Sequence, residues 1–163
     1  MNGPARATNM IAKSVAGEVV VRRDIAAPRA RVFAAWTDER LAARWWAPRD
    51  FTPLSCTIDL RPGGVWHRRM RAPDGTVVVK HGVYREIAAP ERLVFTYMTE
   101  DADGAIDRET LVTVIFDDLG ERTRLTLRHT AFASDEARLD HQAGWTGCLD
   151  RCAAFFEAAC DAA

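Results

Sequence analysis

The sequence predicts an α+β domain in which one curved antiparallel sheet of about seven strands wraps around a long C-terminal helix. Short runs with strand alternation, separated by turn residues, fill the chain between Leu54 and His129. Apolar residues then recur at helical spacing from Ser134 to Ala159, which would make a helix of roughly 39 Å. A helix of that length with one wide apolar face needs an equally broad surface to pack on, and the strands supply it.

The N-terminal part of this β-α-α-β6-α order predicts one strand and two short helices. The first strand is expected over 18–25, where β-branched residues are frequent. Pro28 ends the strand and suits the first turn of a helix. Thr37 and Asp38 end that helix and cap a second one, expected over 39–46.

Six further strands are expected in the middle of the chain, joined by short turns. They are predicted over 55–60, 65–71, 76–87, 92–99, 110–117 and 122–130. The second and third of them flank Pro73-Asp74-Gly75, a sequence typical of a hairpin turn. Consecutive strands with short connections form an antiparallel meander.

The C-terminal segment predicts a helix with distinct apolar and charged sides. Ser134 is expected to cap its N-terminus. Gly144 and Gly147 inside it would each cost about 1 kcal/mol relative to alanine, so we expect a close approach to the sheet or to the short helices, or a kink. The apolar side is formed by His141, Trp145, Cys148, Leu149, Cys152, Phe156 and Ala159.

Composition indicates one soluble domain and excludes some classes of partner. The 163 residues include 22 basic and 23 acidic side chains without a block of one sign, so neither nucleic acid nor an acidic membrane surface is an expected partner. No run of about 18 apolar residues suggests a membrane span. The N-terminus lacks the apolar core of a secretory signal, which favours a cytoplasmic protein. We expect a flexible arm over 1–17 and a single domain over 18–160.

The cysteines and the motifs do not predict a metal, a cofactor or a familiar enzyme. None of Cys56, Cys148, Cys152 and Cys160 forms a CxxC pair, and we expect free thiols, buried where they lie on the helix. Cys148 and Cys152 share a helix face with His141, but no fourth ligand has suitable spacing. GxSxG, HExxH, P-loop and GxGxxG motifs are absent from the sequence. An enzyme is therefore the less favoured class.

Several short strings, taken together, resemble one known group of proteins. The chain is similar to the SRPBCC (START-like, helix-grip) superfamily, and within it to the activator of Hsp90 ATPase homologue 1-like group, over roughly residues 18–158. The strings are AP at 27–28, VFAAWT at 32–37, RWWAP at 44–48, FT at 51–52, RPGG at 61–64, MRAPDG at 70–75, GVYREI at 82–87, PERL at 90–93, TRLTL at 123–127, GW at 144–145 and LDR at 149–151.

The resemblance implies a fold and a cavity between sheet and helix, but it does not imply a reaction. The superfamily includes lipid carriers, hormone receptors, aromatic cyclases, toxin-resistance proteins and chaperone activators, so fold does not decide function. The sequence does not contain the N-terminal half that the eukaryotic chaperone activator uses, and a direct Hsp90 partner is not expected. A homodimer is an expectation from the resemblance.

Strand alternation places a set of polar side chains on the inner face, where each could bind a ligand or serve the structure. The polar set is Arg68, Tyr84, Glu86, Tyr97 and His129, with His141 from the helix, and Trp46, Trp66, Met70, Phe116 and Trp145 would line the apolar wall. Arg68 could anchor a carboxylate or phenolate, pair with Glu86, or reach water. Glu86 could be a structural partner or, with a raised pKa, an acid or base. The two histidines are either hydrogen-bonded core residues or members of a cluster with Glu86.

Three functions therefore remain open. The first is non-enzymatic binding of a small hydrophobic ligand, aromatic or anionic in character, which needs a roomy cavity. The second is a cyclase or hydratase that uses Glu86 with His129 or His141 as acid and base, which needs those groups to converge. The third is a chaperone-related, stress-response interaction module, which needs a filled interior and an exposed apolar patch.

Overall fold

Within the residues that the structure describes, the antiparallel sheet contains the seven predicted strands and one short additional strand at its edge. The computed structural model describes residues 11–12, 17–101 and 103–162. Most of the predicted arm over 1–17 lies outside these described residues. The strands are β1 (Ile11–Ala12), β2 (Val19–Ile25), β3 (Thr52–Ile58), β4 (Val65–Arg71), β5 (Val77–Ala88), β6 (Arg92–Glu100), β7 (Thr110–Asp118) and β8 (Thr123–Thr130).

The order of strands across the sheet is β1-β2-β8-β7-β6-β5-β4-β3, and every neighbouring pair is antiparallel. Strands β3 to β8 follow one another as the predicted meander, and β2 joins it beside β8. The sheet curls into a half-barrel around the C-terminal helix, which confirms the predicted helix-grip fold.

Two short helices, α1 (Arg29–Thr37) and α2 (Glu39–Ala42), follow β2. Asp38 caps α2 as predicted, since its carboxylate accepts from the backbone N–H groups of Arg40 at 2.8 Å and Leu41 at 3.3 Å. The predicted helix over 39–46 is shorter in the structure. Its last residues form tight turns, in which the N–H of Trp45 bonds to the carbonyl of Ala42 at 3.3 Å. This region leads directly into the loop that borders the cavity described below.

The long helix α3 (Asp135–Ala162) packs across the sheet with most of its predicted apolar side inward. Ala159, also predicted on that side, is exposed, since it lies beyond Phe156, where the burial of the described helix side chains ends. The Ser134 hydroxyl accepts from the N–H of Ala137 at 3.1 Å, which confirms the predicted cap. Gly147 makes a close approach possible, because a Cβ there would lie 2.9 Å from the backbone nitrogen of Arg49. At Gly144 a Cβ would meet Pro48 at an ordinary 3.8 Å.

The core lies between the sheet, α3 and the two short helices, and all five tryptophans belong to it. Trp36 is at its centre, with ring centroids 5.0 Å from Trp45, 5.1 Å from Trp46 and 6.3 Å from Trp145. Gly82 gives the Trp66 indole room to donate to the Thr96 carbonyl at 3.1 Å. Within the described residues, no helix is both long and apolar enough to cross a membrane.

The alternation of β4, β6, β7 and β8 is as predicted, but that of β5 changes halfway along the strand. Tyr84 pairs with Phe95, whereas Glu86 pairs with Val94, so two residues of β5 oppose one residue of β6. This bulge reverses the side on which the following residues lie. The prediction that Glu86 faces the interior is therefore wrong.

Candidate functional site

A cavity of about 460 Å³ lies between α3, the sheet and the loop that follows α2. Aromatic and apolar side chains form most of its wall, with Asp140 and His141 from α3 and Lys80 from β5. The lining residues are Trp46, Pro48, Arg49, Phe51, Met70, Val78, Lys80, Tyr97, Asp140, His141, Ala143, Gly144, Trp145 and Cys148.

The loop wall of this cavity is held in place by α3. The guanidinium of Arg151 donates from Nη1 to the carbonyls of Pro48 at 3.1 Å and Phe51 at 2.7 Å. Arg49 pairs with Asp150 of the same helix at 2.8 Å. This loop belongs to no helix or strand, and the bonds from Arg151 satisfy its carbonyl groups at Pro48 and Phe51 instead.

Lys80 is the cationic side chain that β5 places in the cavity wall. Its Nζ donates to the Thr99 hydroxyl at 2.8 Å and lies 5.5 Å from the centroid of the Tyr97 ring. Burial lowers the pKa of Lys80 to about 8, and the charges of Asp107 and Asp140 oppose that shift. The amine is therefore still mostly protonated at pH 7, and it remains a hydrogen-bond donor to a bound molecule.

His141 contributes a hydrogen-bond acceptor to the same wall. Its Nδ1 lies 2.8 Å from the carbonyl of Ala137, and because a carbonyl accepts, the ring proton is on Nδ1. Burial lowers the pKa of His141, and the charge of Lys80 lowers it further. The imidazole is thus neutral at pH 7, with the lone pair of Nε2 free of hydrogen bonds to the described residues. Its ring centroid lies 5.7 Å from that of Tyr97, the ring that Lys80 also faces.

His129 is a buried structural residue and does not line the cavity. The indole N–H of Trp145 donates to its Nδ1 at 2.9 Å, so the ring proton must be on Nε2. Nε2–H donates to the Thr110 hydroxyl at 2.7 Å, which in turn donates to the Tyr97 carbonyl at 2.7 Å. Burial lowers the pKa of His129 well below its usual value. Both ring nitrogens are therefore engaged, and this residue has no lone pair or proton left for chemistry.

The predicted cluster of Glu86 with the histidines does not form. Glu86 lies on the outer face, where its carboxylate is 3.4 Å from Nε of Arg92. The predicted alternative of an Arg68–Glu86 pair is wrong for the same reason, because the bulge in β5 puts the two side chains on opposite faces of the sheet.

Arg68 and Tyr84 are buried as predicted, but they lie in a separate inner compartment. The side chains that line this compartment leave no room for a water molecule. Trp46 belongs to the wall of both spaces and separates them. The lining of the inner compartment is Trp36, Trp46, Trp66, Arg68, Tyr84, Leu93 and Phe95.

The predicted site residues therefore fall into four groups. The cavity wall contains Trp46, Met70, Tyr97, His141 and Trp145. The inner compartment contains Trp66, Arg68 and Tyr84, again with Trp46. The core contains Phe116 and His129, and Glu86 lies on the outer face of the sheet. Phe116 packs edge-on against Phe33 at 5.3 Å and Trp36 at 6.1 Å.

The sequence reasoning missed Lys80 and the loop wall. Lys80 could have been found, because it has the same strand parity as Gly82 and Tyr84, which were correctly placed inside. Pro48 and Phe51 carry no such signal, since a loop has no periodicity. Their place in the wall is set by contacts with α3 that are distant in sequence.

The cysteines are not arranged as a metal site in the described part of the chain, where no group of three or more His, Cys, Asp or Glu side chains could hold an ion. Cys148 and Cys152 are buried free thiols, and Cys56 is half-buried. Burial raises the pKa of Cys148 to about 12. These thiols therefore stay protonated at pH 7 and act as small apolar side chains. The side chain of Cys160 lies outside the described residues.

Comparisons with known proteins show the family of this chain and support its fold. Residues 26–157 match the family described as Activator of Hsp90 ATPase homolog 1-like protein. Among solved structures, a protein from Arthrobacter aurescens is 29% identical with a TM-score of 0.80, and the match covers 90% of each chain. The AHSA1 protein from Silicibacter pomeroyi is 26% identical with a TM-score of 0.78, over 89% of this chain and 99% of that one.

A protein from Chromobacterium violaceum, 24% identical over 88% of this chain and 99% of that one, shares the fold with a TM-score of 0.78. No curated protein matches. Because the family match covers most of its length, the chain belongs to the Activator of Hsp90 ATPase homolog 1-like family.

Proposed function

We propose that this protein binds a small, largely apolar aromatic molecule bearing a hydroxyl group, and that it holds this molecule without converting it. The observation that carries the proposal is the cavity of about 460 Å³ in which Lys80 and His141 face the same aromatic ring, that of Tyr97.

The size and the walls of the cavity support an apolar aromatic ligand. Sites for small molecules commonly have volumes of about 300–1,000 Å³ and mostly apolar walls with a few polar groups. Trp46, Phe51, Met70 and Trp145 supply such walls here. Transfer of apolar ligand surface from water contributes roughly 25 cal/mol per Å², and flat aromatic side chains suit a flat aromatic ring.

The two polar groups support a hydroxyl oxygen as the recognised feature. Nζ of Lys80 donates, and Nε2 of His141 accepts. A phenolic hydroxyl can accept from the first and donate to the second, so it satisfies both groups. If the hydroxyl ionises, the ammonium of Lys80 pairs with the phenolate.

The positions of the other polar side chains favour binding over catalysis. The cyclase or hydratase alternative needs the Glu86 carboxylate beside a histidine in the cavity, as the acid–base pair. Glu86 is outside, and both nitrogens of His129 are occupied by Trp145 and Thr110. His141 remains in the cavity, but the described residues give it no carboxylate partner there other than Asp140, its neighbour in sequence at the exposed end of the wall.

Isothermal titration with 2-naphthol, and with naphthalene as the matched ligand without a hydroxyl, tests this proposal. We expect the wild-type protein to bind 2-naphthol more tightly than naphthalene, and Lys80→Met to weaken 2-naphthol binding by about tenfold. Arg69→Met is the matched control, because Arg69 is an exposed cation on the neighbouring strand β4. The proposal fails if neither ligand binds at millimolar concentration, or if Arg69→Met weakens binding as much as Lys80→Met.

A further inference from the structure

Arg68 is a buried cation with unsatisfied donors. Its side chain is in the wall of the inner compartment and the residue is 3% exposed. Nε and Nη1 are both buried, and neither has a hydrogen-bond partner among the residues that the structure describes. No carboxylate of these residues forms an ion pair with it. Arginine stays protonated in proteins, so this arrangement carries a positive charge that the fold leaves partly uncompensated.

The groups around Arg68 stabilise its charge but do not supply the missing acceptors. The guanidinium carbon lies 3.5 Å from the centroid of the Trp46 ring and 5.5 Å from that of Trp66, which gives cation–π attraction without hydrogen bonds. The titratable neighbours are Cys56, Tyr84, Cys148 and Tyr97. All four are neutral at pH 7, because burial raises the pKa of each of them. None of these groups supplies an acceptor to Nε or Nη1 of Arg68.

Trp46 separates this cation from the ligand cavity. The same side chain lines the cavity and the inner compartment, and it stacks on the guanidinium. It belongs to the segment after α2 that has no regular structure, and its backbone N–H is tied to the Ala42 carbonyl at 3.0 Å. A change of its side-chain rotamer would therefore join the two spaces without breaking a strand or a helix.

We propose that the inner compartment is a second subsite, which takes a carboxylate group onto Arg68 when the Trp46 ring moves aside. This inference rests on the proposed function, since the apolar body of the same molecule stays in the cavity. A carboxylate offers the acceptors that Nε and Nη1 lack, and such charge-assisted bonds are strongest where water is excluded. The preferred ligand class is thus an aromatic acid in which a short chain separates the ring from the carboxylate.

The test compares 4-phenylbutyrate with 4-phenylbutan-1-ol, which differ in the carboxylate and share the apolar body. In titration calorimetry we expect the wild-type protein to bind the acid about tenfold or more tightly than the alcohol. In Arg68→Met we expect that ratio to fall to about one, with alcohol binding retained. Arg69→Met, with a cation removed from the outer face of the same strand, keeps the wild-type ratio.

The outcomes separate the two proposals. If the alcohol binds and the acid binds no more tightly, the cavity function stands and the Arg68 subsite is wrong. If neither binds while 2-naphthol does, the cavity function stands and the subsite is wrong; if 2-naphthol does not bind either, both proposals fail. If Lys80→Met abolishes the preference for the acid and Arg68→Met does not, the carboxylate binds Lys80 in the cavity and the proposed subsite is wrong.

Sodium formate distinguishes a free small acid from the acid group of a larger ligand. Competition of formate with 4-phenylbutyrate, but not with 4-phenylbutan-1-ol, supports a carboxylate subsite; competition that persists in Arg68→Met contradicts it.

A measurement on the wild-type protein does not depend on the folding of any variant. The ¹⁵N resonance of the buried Arg68 Nε–H should shift with the acid and stay in place with the alcohol. Equal shifts with both ligands would overturn the proposal.

Discussion

The indole N–H of Trp145 donates to Nδ1 of His129 at 2.9 Å, and this bond holds the imidazole in one neutral tautomer. The remaining ring proton is on Nε2, and this N–H donates to the hydroxyl oxygen of Thr110. The Thr110 hydroxyl in turn donates to the Tyr97 carbonyl. The chain of hydrogen bonds thus runs from α3 through β8 and β7 to β6. It fixes two residues of the cavity wall, Trp145 and Tyr97, against each other.

The histidines make stability depend on pH below neutrality. Burial lowers the pKa of both His129 and His141 in the folded state. Histidine in the unfolded chain has its usual pKa of about 6.5. At pH values between the lowered pKa of the folded protein and 6.5, the unfolded chain binds protons that the folded chain does not. The free energy of unfolding therefore falls as the pH drops through this window. The slope should be at most about 1.4 kcal/mol per pH unit for each histidine.

Urea unfolding at pH 7, 6 and 5 measures this slope. His141→Gln should reduce it, because one of the two titrating groups is gone. Asp24 and Asp74, whose pKa values are lowered by hydrogen bonding, titrate below this window and do not interfere. A free energy of unfolding that stays constant or rises as the pH falls to 5 would contradict the neutral, buried state of His129.

Thr110→Val should destabilise the protein by about 1–3 kcal/mol, since it leaves the buried Nε2–H of His129 without its acceptor and removes the hydroxyl bond to the Tyr97 carbonyl. Thr113→Val is the matched control on the same strand, with the side chain on the other face of the sheet. Chemical denaturation of both variants gives the two values. Equal, small losses would mean that the chain of hydrogen bonds contributes nothing measurable.

The two helical glycines should respond in opposite directions to alanine. Gly144→Ala gains up to about 1 kcal/mol of helix propensity and meets Pro48 at an ordinary distance of 3.8 Å. Gly147→Ala gains the same propensity but places its Cβ 2.9 Å from the backbone nitrogen of Arg49, so the loop wall must shift. Thermal unfolding should show a higher Tm for the first variant and a lower one for the second. The same sign for both would refute the close approach at Gly147.

Arg68→Met should leave the stability of the ligand-free protein unchanged or raise it by about 1 kcal/mol. Methionine retains apolar contact with Trp46 while removing a buried charge that has unsatisfied donors. Arg68→Lys, which keeps the charge and gives up planar stacking on the indole, should be the less stable of the two. A clear loss in Arg68→Met with no loss in Arg68→Lys would show that the charge is well compensated in the folded protein.

Most of the fold could be predicted because each element carries its own local signal. The strands alternate and end at turn residues, and the apolar residues of α3 recur at helical spacing from Trp145 to Phe156. For the same reason, alternation predicts which residues of β4 and β6 to β8 face the core, as the burial of Trp66, Phe95 and Leu127 illustrates. The short strand β1 falls within a stretch whose composition does not predict a strand.

The candidate site was less predictable because it depends on register and on contacts between distant segments. The bulge that turns Glu86 outward is decided by how β5 pairs with β6, not by the residues of β5 alone. The loop wall depends on Arg151, about a hundred positions away in sequence. The burial of Arg68 could be predicted from the alternation of β4. Its separation from the cavity by Trp46 could not, because it depends on how the five tryptophans pack against one another.

A crystal structure of the protein with 2-naphthol would test the central claim most directly, namely that the cavity between α3 and the sheet holds an aromatic molecule. The account predicts ring density between Trp145 and Met70, with the oxygen within hydrogen-bond distance of Nζ of Lys80. An unoccupied cavity at saturating 2-naphthol, or a ring bound elsewhere on the protein, would contradict it.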